Sequence, residues 1–217
     1  MPAGFNNLPL QIDFIMRKLL AILLLCYATF SFAQIKISNK LHTGNEFSIY
    51  SNRNVSEIYI DNSDFEVVKI VSQLLAEDIE RVSGQKGKLL TTKSIKSKQP
   101  IIIGTLGHNK WIDKLVASNK IDISAIRNGW EQYIIKIVEK PFSGVDKALI
   151  IAGCDRRGTA YGTFTLSEAM GVSPLYWWAD VPVKKQKAIY MEAAEYISKE
   201  PSVKYRGIFL NDEGWGL

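Results

Sequence analysis

The sequence has few of the residues that build metal centres, disulfides and nucleophilic sites. Its 217 residues include only two histidines and two cysteines. Cys26 lies in an apolar segment near the N terminus, so removal of that segment would leave Cys154 as the single cysteine and exclude an intrachain disulfide. No cluster of side chains has the spacing of metal ligands, and we therefore expect neither a metal ion nor a cofactor.

Apolar runs long enough to cross a bilayer are also missing. After Met16-Arg17-Lys18 comes the purely apolar run 19–25, which is too short to span a membrane comfortably. A basic start, a short apolar core and the small-residue end at 31–33 are typical of a secretory signal. We expect the true start at Met16, cleavage after Ala33, a secreted or periplasmic protein, and no stable membrane span.

A strong excess of one charge is absent too, since the net charge is only +5. Lysines are spread through residues 86–98 and 184–187, and no aromatic residues alternate with them. Proteins that bind nucleic-acid strands combine basic grooves with aromatic stacking platforms. We interpret these lysines as solvated loops and expect no nucleic-acid partner.

Two amphipathic helices are the clearest local features. Ser63 and Glu66 have the spacing of a capping box, apolar residues then recur at helical spacing, and Gly84 is the expected stop. A second helix should begin after Asp155, a good N-cap residue, and end near Gly171.

Strand candidates lie among these helices. Residues 101–103 and 148–152 are continuously apolar, as expected for strands that are covered on both faces. Weaker or shorter candidates are residues 47–50, 57–60, 132–138 and 188–191. Strands interspersed with helices predict the α/β class, as a layered domain over residues 34–200.

Two glycine-containing turns, 104–107 and 153–158, could bind phosphate, because helix N termini attract anions. Neither matches a dinucleotide fingerprint or a phosphate loop, and Asp155 places negative charge where a phosphate would lie. We favour tight strand-to-helix turns over a nucleotide site. Cys154 follows an apolar run and is interpreted as a buried structural thiol, because a catalytic thiol would need a paired base.

The start of the second helix carries an arginine pair, Arg156 and Arg157, which could bind a carboxylate or contact a neighbouring domain. Gly158 and Gly162 lie one turn apart on one face and should allow close packing there. This favours a neighbouring domain as the partner of the arginines. The aromatic residues of segment 174–182 could stack on sugars or pack between domains, and we favour packing.

The last residues of the chain are the best chemical candidates. An apolar strand core, 208–210, runs into Asn211, Asp212 and Glu213, followed by a turn that contains Trp215. Carboxylates at the tip of a buried strand are how barrel enzymes present catalytic groups. An amide and two carboxylates can bind sugar hydroxyls or transfer protons, whereas a solvated turn is the alternative.

Taken together, segments 150–162, 171–182 and 205–213 resemble glycoside hydrolase family 115, the xylan α-1,2-glucuronidases. The resemblance runs from about Phe47 to the last residue. The arginine-glycine helix start alone is shared with the accessory α/β domain that precedes the barrel in β-hexosaminidases and other α-glucuronidases. The resemblance therefore implies an accessory α/β sandwich domain that packs on a (β/α)₈ barrel.

The same resemblance implies an inverting hydrolase that releases glucuronic or 4-O-methylglucuronic acid from xylan. It makes Asp212 and Glu213 the catalytic candidates, with Asp212 first as a substrate-contacting or water-polarising carboxylate, and implies that the general acid lies on a later barrel strand. We expect Asn211, Asp212, Glu213 and Trp215 to contact substrate. Two departures from the family pattern are Gly214, where another acidic residue is usual, and Cys154, where serine is common. The partner of the complete enzyme would be a xylan-derived polysaccharide or oligosaccharide.

These inferences divide the chain into three parts. Residues 1–33 would be an N-terminal extension with the signal, 34–200 the accessory domain, and 201–217 the first strand of a truncated barrel. Because one strand cannot position a substrate, we expect no glucuronidase activity from this chain alone. A stand-alone, non-catalytic carbohydrate-binding module is the alternative.

Overall fold

The computed structural model describes residues 35–176, 179–192 and 195–207; the predicted signal and the acidic motif lie outside them. Within these residues, three helices alternate with strands. The helices are α1 (Glu66–Ser83), α2 (Lys110–Ala117) and α3 (Arg156–Ala169). The strands are β1 (Ile37–Ser38), β2 (Phe47–Ser51), β3 (Asn54–Val55), β4 (Ile58–Tyr59), β5 (Leu89–Leu90), β6 (Ile101–Thr105), β7 (Tyr133–Glu139), β8 (Lys147–Gly153), β9 (Ile189–Met191) and β10 (Glu195–Ile197).

The strands form two sheets. The larger sheet has the order β10-β7-β8-β6-β4-β5, in which β5, β4, β6 and β8 are parallel and β7 and β10 are antiparallel to their neighbours. The smaller sheet is antiparallel, in the order β1-β9-β2-β3. The predicted α/β class is confirmed for the described residues.

The larger sheet is covered on both faces, as the apolar strands predicted. Successive strand residues point to opposite faces, so Ile101 and Ile103 belong to one core and Ile102 to the other. The first core also contains buried residues of α1, α3 and the smaller sheet, whereas the second is closed by α2. All three isoleucines are fully buried, which explains why β6 has no polar alternation.

Helix α1 ends as predicted but begins differently. Gly84 has φ 80° and donates its N–H to the Glu80 carbonyl oxygen at 2.8 Å, which is a left-handed C-cap. The predicted capping box is wrong, because the helix begins at Glu66 and no side chain caps it. The Ser63 hydroxyl instead donates to the carboxylate of Asp61 at 2.9 Å.

Helix α2 was not predicted from the sequence. Its first turn is capped by Asn109, whose side-chain oxygen accepts from the N–H groups of Trp111 and Ile112 at 3.1 and 3.3 Å. The Asn109 amide also donates to the carbonyl oxygen of Ile103 at 3.0 Å, so the cap is tied to β6. With eight residues, α2 is too short to show a clear helical period.

Among the residues that the structure describes, no helix has both the length and the apolar character needed to cross a membrane.

Candidate functional site

Helix α3 starts where β8 ends, and its N-cap residue connects two parts of the domain. Asp155 accepts a hydrogen bond from the Gly158 N–H at 2.7 Å, so the predicted N-cap is confirmed. Its other carboxylate oxygen accepts from the Glu131 N–H at 2.8 Å. Asp155 therefore fixes the start of α3 to the loop that precedes β7, and the tight strand-to-helix turn is as predicted.

The two glycines of α3 provide the close packing expected from the sequence. A β-carbon on Gly158 would lie 2.2 Å from the carbonyl oxygen of Gln132. A β-carbon on Gly162 would lie 2.9 Å from side-chain carbons of Tyr133 and Ile151. The packing partners are β7, the loop before it and β8, so the glycines give no ground for a neighbouring domain at this position.

Glu131 is the buried acidic residue at this contact. Its side chain is only 5% exposed, and one carboxylate oxygen lies 2.9 Å from the Nε of Arg157. The other oxygen forms an ion pair with Arg206, which lies in the segment after β10. Charge-assisted contacts of this kind compensate for the burial of a carboxylate. We call Glu131, Arg157 and Arg206 the Glu131 cluster.

The Glu131 cluster shows what one residue of the arginine pair binds within the domain. Arg157 binds a carboxylate of its own domain, and its Nη2 also donates to the hydroxyl of Tyr161 at 2.9 Å. Arg156 lies at the helix surface, with its guanidinium 5.9 Å from the ring centroid of Phe65. The carboxylate alternative is thus what Arg157 binds within the described residues, whereas a contact of the arginine pair with a neighbouring domain stays a prediction.

Aromatic rings surround the second arginine of the cluster. The Arg206 guanidinium lies 5.6 Å from the ring centroid of Trp130 and 5.9 Å from that of Tyr161. The hydrogen bond to Glu131 raises the pKa of Arg206, and the hydrogen bond to Tyr161 raises the pKa of Arg157. Both guanidinium groups are thus positively charged at every physiological pH.

Hydrogen bonds attach the chain after β10 to β7 and its preceding loop. The Tyr133 N–H donates to the Ser198 hydroxyl at 2.8 Å, and the Ser198 N–H donates to the Tyr133 carbonyl at 3.0 Å. The Gln132 side chain donates to the Ser198 carbonyl at 3.0 Å. This part of the chain leads to Arg206, which precedes Asn211 by five residues.

Cys154 has the surroundings of a structural thiol. It is half-buried, and its sulfur accepts a hydrogen bond from the Gln132 N–H at 3.3 Å. Burial raises the pKa of the Cys154 thiol, which disfavours the nucleophilic thiolate. It shares a shallow cavity of about 370 Å³ with His108, whose ring packs on Phe65 with centroids 4.3 Å apart.

A larger groove lies between α1 and α3. It has a volume of about 510 Å³ and includes the side chains of Tyr161, Phe164 and Tyr176 in its lining. The Tyr176 ring packs on the first core and lies 5.1 Å from the guanidinium carbon of Arg81. Tyr176 belongs to the aromatic segment 174–182, and its contacts agree with the packing interpretation of that segment.

The structure leaves the predicted catalytic motif untested. Asn211, Asp212, Glu213 and Trp215 lie outside the described residues, so their roles stay predictions. Within the described residues, no group of three or more histidine, cysteine or acidic side chains could hold a metal ion. Sequence reasoning missed Glu131 and did not single out Arg206. Two sequence features could have indicated them. Glu131 lies directly before an apolar strand, and Arg206 lies five residues before the acidic motif.

Comparison with known proteins gives matches among solved structures. No protein-family model and no curated protein matches the chain. The chain is similar to BtGH115A, a family GH115 4-O-methyl-α-glucuronidase with specificity for decorated arabinogalactans. The identity is 34% and the TM-score 0.62, over 79% of this chain and 20% of that one.

Two bacterial hexosaminidases match more weakly, each at 12% identity and a TM-score of 0.45, over 81% of this chain and 26% of theirs. They are the Streptomyces plicatus N-acetyl-β-hexosaminidase and the family GH20 β-N-acetylhexosaminidase of Streptomyces coelicolor A3(2). The match to BtGH115A covers 79% of this chain at 34% identity, which supports the resemblance inferred from the sequence. The resemblance to glycoside hydrolase family 115 is therefore confirmed, and the chain is a family 115-like polypeptide that spans one fifth of the length of that relative.

Proposed function

We propose that the chain is the N-terminal part of a secreted glycoside hydrolase that removes glucuronic or 4-O-methylglucuronic acid from xylan side chains. The observation that supports this most directly is the 34% identity to a 4-O-methyl-α-glucuronidase over 79% of the chain. The motif Asn211-Asp212-Glu213 supplies side chains suited to that reaction. Asp212 and Glu213 are the proposed catalytic carboxylates, and Asn211 and Trp215 are proposed to contact the sugar.

In this proposal, the described domain is an accessory domain that orients the segment leading to the acidic motif. An inverting glycosidase needs an acid and a base separated by enough space for a water molecule. Such spacing depends on rigid support, because small displacements of reacting groups cost large factors in rate. The bonds from Ser198 to β7 and the ion pair of Arg206 with Glu131 are the support that this domain supplies.

By itself, the 217-residue chain should be inactive. A complete barrel takes about 250 residues, whereas the chain spans one fifth of the relative. We expect no release of uronic acid when the purified chain is incubated with glucuronoxylan. Measurable release, absent from an Asp212→Asn preparation, would contradict this part of the proposal.

The enzymatic proposal can be tested with a chimera of BtGH115A. Residues 35–217 would replace the matching segment of that glucuronidase, and uronic acid release would be measured by chromatography. We expect activity in the chimera and its loss on Asp212→Asn. Asp146→Asn is the matched control, because Asp146 is largely exposed and its only described ion pair, with Lys98, is long at 3.9 Å. Equal activities of the two variants would exclude a catalytic role for Asp212.

A second substrate deserves a parallel assay, because the relative acts on decorated arabinogalactans. The chimera should be offered glucuronoxylan and a glucuronic acid-decorated arabinogalactan at equal concentrations of uronate. Preference for the first supports the xylan proposal. Preference for the second would assign this chain the substrate class of its relative.

A non-catalytic carbohydrate-binding module is the second candidate function, and the groove between α1 and α3 favours it. Phe164 lines this groove and is 44% exposed, and an exposed ring can pack on the apolar face of a pyranose. A glycan array with the 217-residue chain tests this function. Binding that is lost on Phe164→Ala but kept on Ile70→Ala, a change at another exposed apolar residue, would favour the module.

Export is proposed from the sequence of residues 16–33. Expression of the whole reading frame in a bacterial host, followed by N-terminal sequencing of the exported protein, tests it. We expect Gln34 as the first residue. An N terminus upstream of Met16 would contradict both the start site and the signal.

A further inference from the structure

We infer that Glu131 is a positioning residue that acts through Arg206 and fixes where the chain leaves the accessory domain toward the acidic motif. This inference rests on the proposed function, because that function makes the segment after Arg206 the carrier of the catalytic carboxylates. Glu131 itself is assigned no contact with substrate.

The Glu131 carboxylate is divided between two partners. One oxygen of Glu131 pairs with Arg157 on α3, and the other pairs with Arg206. The carboxylate is 5% exposed, whereas the arginine side chains are 53% and 37% exposed. A buried carboxylate is costly unless it is paired, while an exposed guanidinium can return to water. The buried Glu131 carboxylate therefore determines the position of the more exposed Arg206 side chain.

The backbone of Glu131 has an unusual conformation. Its φ is +55°, a left-handed conformation that residues other than glycine seldom adopt. The hydrogen bond from its N–H to Asp155 stabilises this conformation, and so does the bond from the next residue's N–H to Cys154. Strained conformations persist where the surroundings over-determine them, often at functional positions. Here the residue in the left-handed conformation is the one whose carboxylate is shared by Arg157 and Arg206.

The segment around Arg206 packs only weakly on the accessory domain. Val203 is 56% exposed and Tyr205 is 85% exposed, so apolar burial contributes little to fixing this segment. Arg206, in contrast, contacts Glu131 and the rings of Trp130 and Tyr161. Its side chain is thus the main tether between residues 203–207 and the accessory domain among the described contacts.

Limited proteolysis of the 217-residue chain tests the tether directly, because trypsin cleaves after arginine. The Arg206–Gly207 bond should be protected while the Arg206 side chain is bound to Glu131. We expect Glu131→Gln, which keeps the size and removes the charge, to accelerate cleavage at this bond at least tenfold. Glu195→Gln is the matched control, since it removes an exposed ion pair with Lys136 at 2.9 Å and should leave the rate unchanged.

A second variant covers the case in which Glu131→Gln impairs folding. Arg206→Lys keeps a trypsin site and the positive charge but loses the two-pronged guanidinium, so cleavage after residue 206 should also accelerate. The urea midpoint of each variant is measured in parallel. Unchanged cleavage in both variants, at an unchanged midpoint, would overturn the inference.

The chimera with BtGH115A separates this inference from the proposed function. In an active chimera, Glu131→Gln should lower kcat at least tenfold relative to Glu195→Gln at an equal urea midpoint. Accelerated cleavage with unchanged kcat would overturn the positioning role. If the chimera with native Glu131 is inactive, the proposed function fails, and trypsin alone then decides whether Glu131 fixes Arg206.

Discussion

The carbonyl oxygen of Gln132 lies so close to Gly158 that a β-carbon on this glycine would come within 2.2 Å of it. The same contact brings the loop before β7 against the first turn of α3. Glu131, one residue earlier, can therefore pair with Arg157 in that turn. Close backbone packing and the ion pairs of the Glu131 cluster are thus parts of one arrangement.

Replacing Gly158 by alanine should destabilise the domain strongly. The contacting atom belongs to the backbone of Gln132, which cannot move aside without shifting β7. We expect a loss of about 3 kcal/mol in the free energy of unfolding, measured by urea denaturation. Gly87→Ala is the control, because its β-carbon would meet its nearest atom at an ordinary 3.4 Å. Similar losses in both variants would contradict the packing argument.

Asp155 should contribute to stability through two hydrogen bonds of different kinds. Asp155→Ala loses both the cap of α3 and the acceptor for the Glu131 N–H, and should cost about 2 kcal/mol in the free energy of unfolding. Asp155→Ser keeps a capping oxygen and should recover about half of this loss. If serine recovers nothing in thermal or urea denaturation, the capping bond is not the source of the stability.

Glu46 should make the domain sensitive to mild acid. Its carboxylate accepts from the N–H groups of Thr43 and His42 at 2.7 and 3.0 Å, and these bonds lower its pKa from 4.5 to about 2. The pKa of Glu46 is lower in the folded state than in the unfolded state. The contribution of its carboxylate to the free energy of unfolding is therefore complete above pH 4.5 and is lost as the pH falls toward 2. Glu46→Gln should therefore flatten the fall of the urea midpoint between pH 5 and pH 3.

The control for this measurement is Glu66→Gln, which alters a carboxylate that is 73% exposed. Its midpoint should follow the native pH dependence. If Glu46→Gln and the native chain lose stability in parallel, Glu46 is not the acid-sensitive group.

Tyr133 should affect stability at the alkaline end. Burial raises its pKa from 10.0 to about 12, and its hydroxyl hydrogen-bonds the Thr165 hydroxyl at 2.7 Å. The pKa of Tyr133 is higher in the folded state than in the unfolded state. The contribution of its hydroxyl to the free energy of unfolding is therefore complete below pH 10 and is lost as the pH rises toward 12. Tyr133→Phe should cost about 1 kcal/mol in the free energy of unfolding at pH 7 and less at pH 11.

Circular dichroism during urea denaturation at the two pH values measures this difference. Tyr205→Phe, at a position 85% exposed, is the comparison and should change neither value. If Tyr133→Phe lowers the free energy of unfolding equally at pH 7 and pH 11, ionisation of this hydroxyl does not affect stability in alkali.

The sequence predicted the elements whose signals are local. Gly84 and Asp155 mark the end of α1 and the start of α3 because their backbone roles depend on their own chemistry. The start of α1 could not be predicted in the same way. In a capping box the Ser63 oxygen would accept an N–H of the first turn. In the structure Asp61, which follows β4, instead accepts the Ser63 hydroxyl proton, and no side chain caps the helix.

The candidate site was less accessible to sequence reasoning. Glu131 and Arg206 are 75 residues apart, and neither lies in a motif with a fixed spacing between them. Their pairing requires β10 to lie antiparallel to β7, which places the chain after Ser198 beside the loop that carries Glu131. The family resemblance indicated the acidic motif but not the residue that binds the segment before it.

The sequence by itself determined the α/β class, the two apolar central strands, the glycine strip of α3 and the resemblance to family 115, because these depend on residues close together along the chain. Only the tertiary structure decided that the glycines pack within the domain and that Arg157 and Arg206 share one carboxylate. The physical reason is that Glu131 meets Arg157 and Arg206 only once α3 and the segment after β10 pack beside the loop that precedes β7. Until these elements assemble, its charge is solvated and selects no partner.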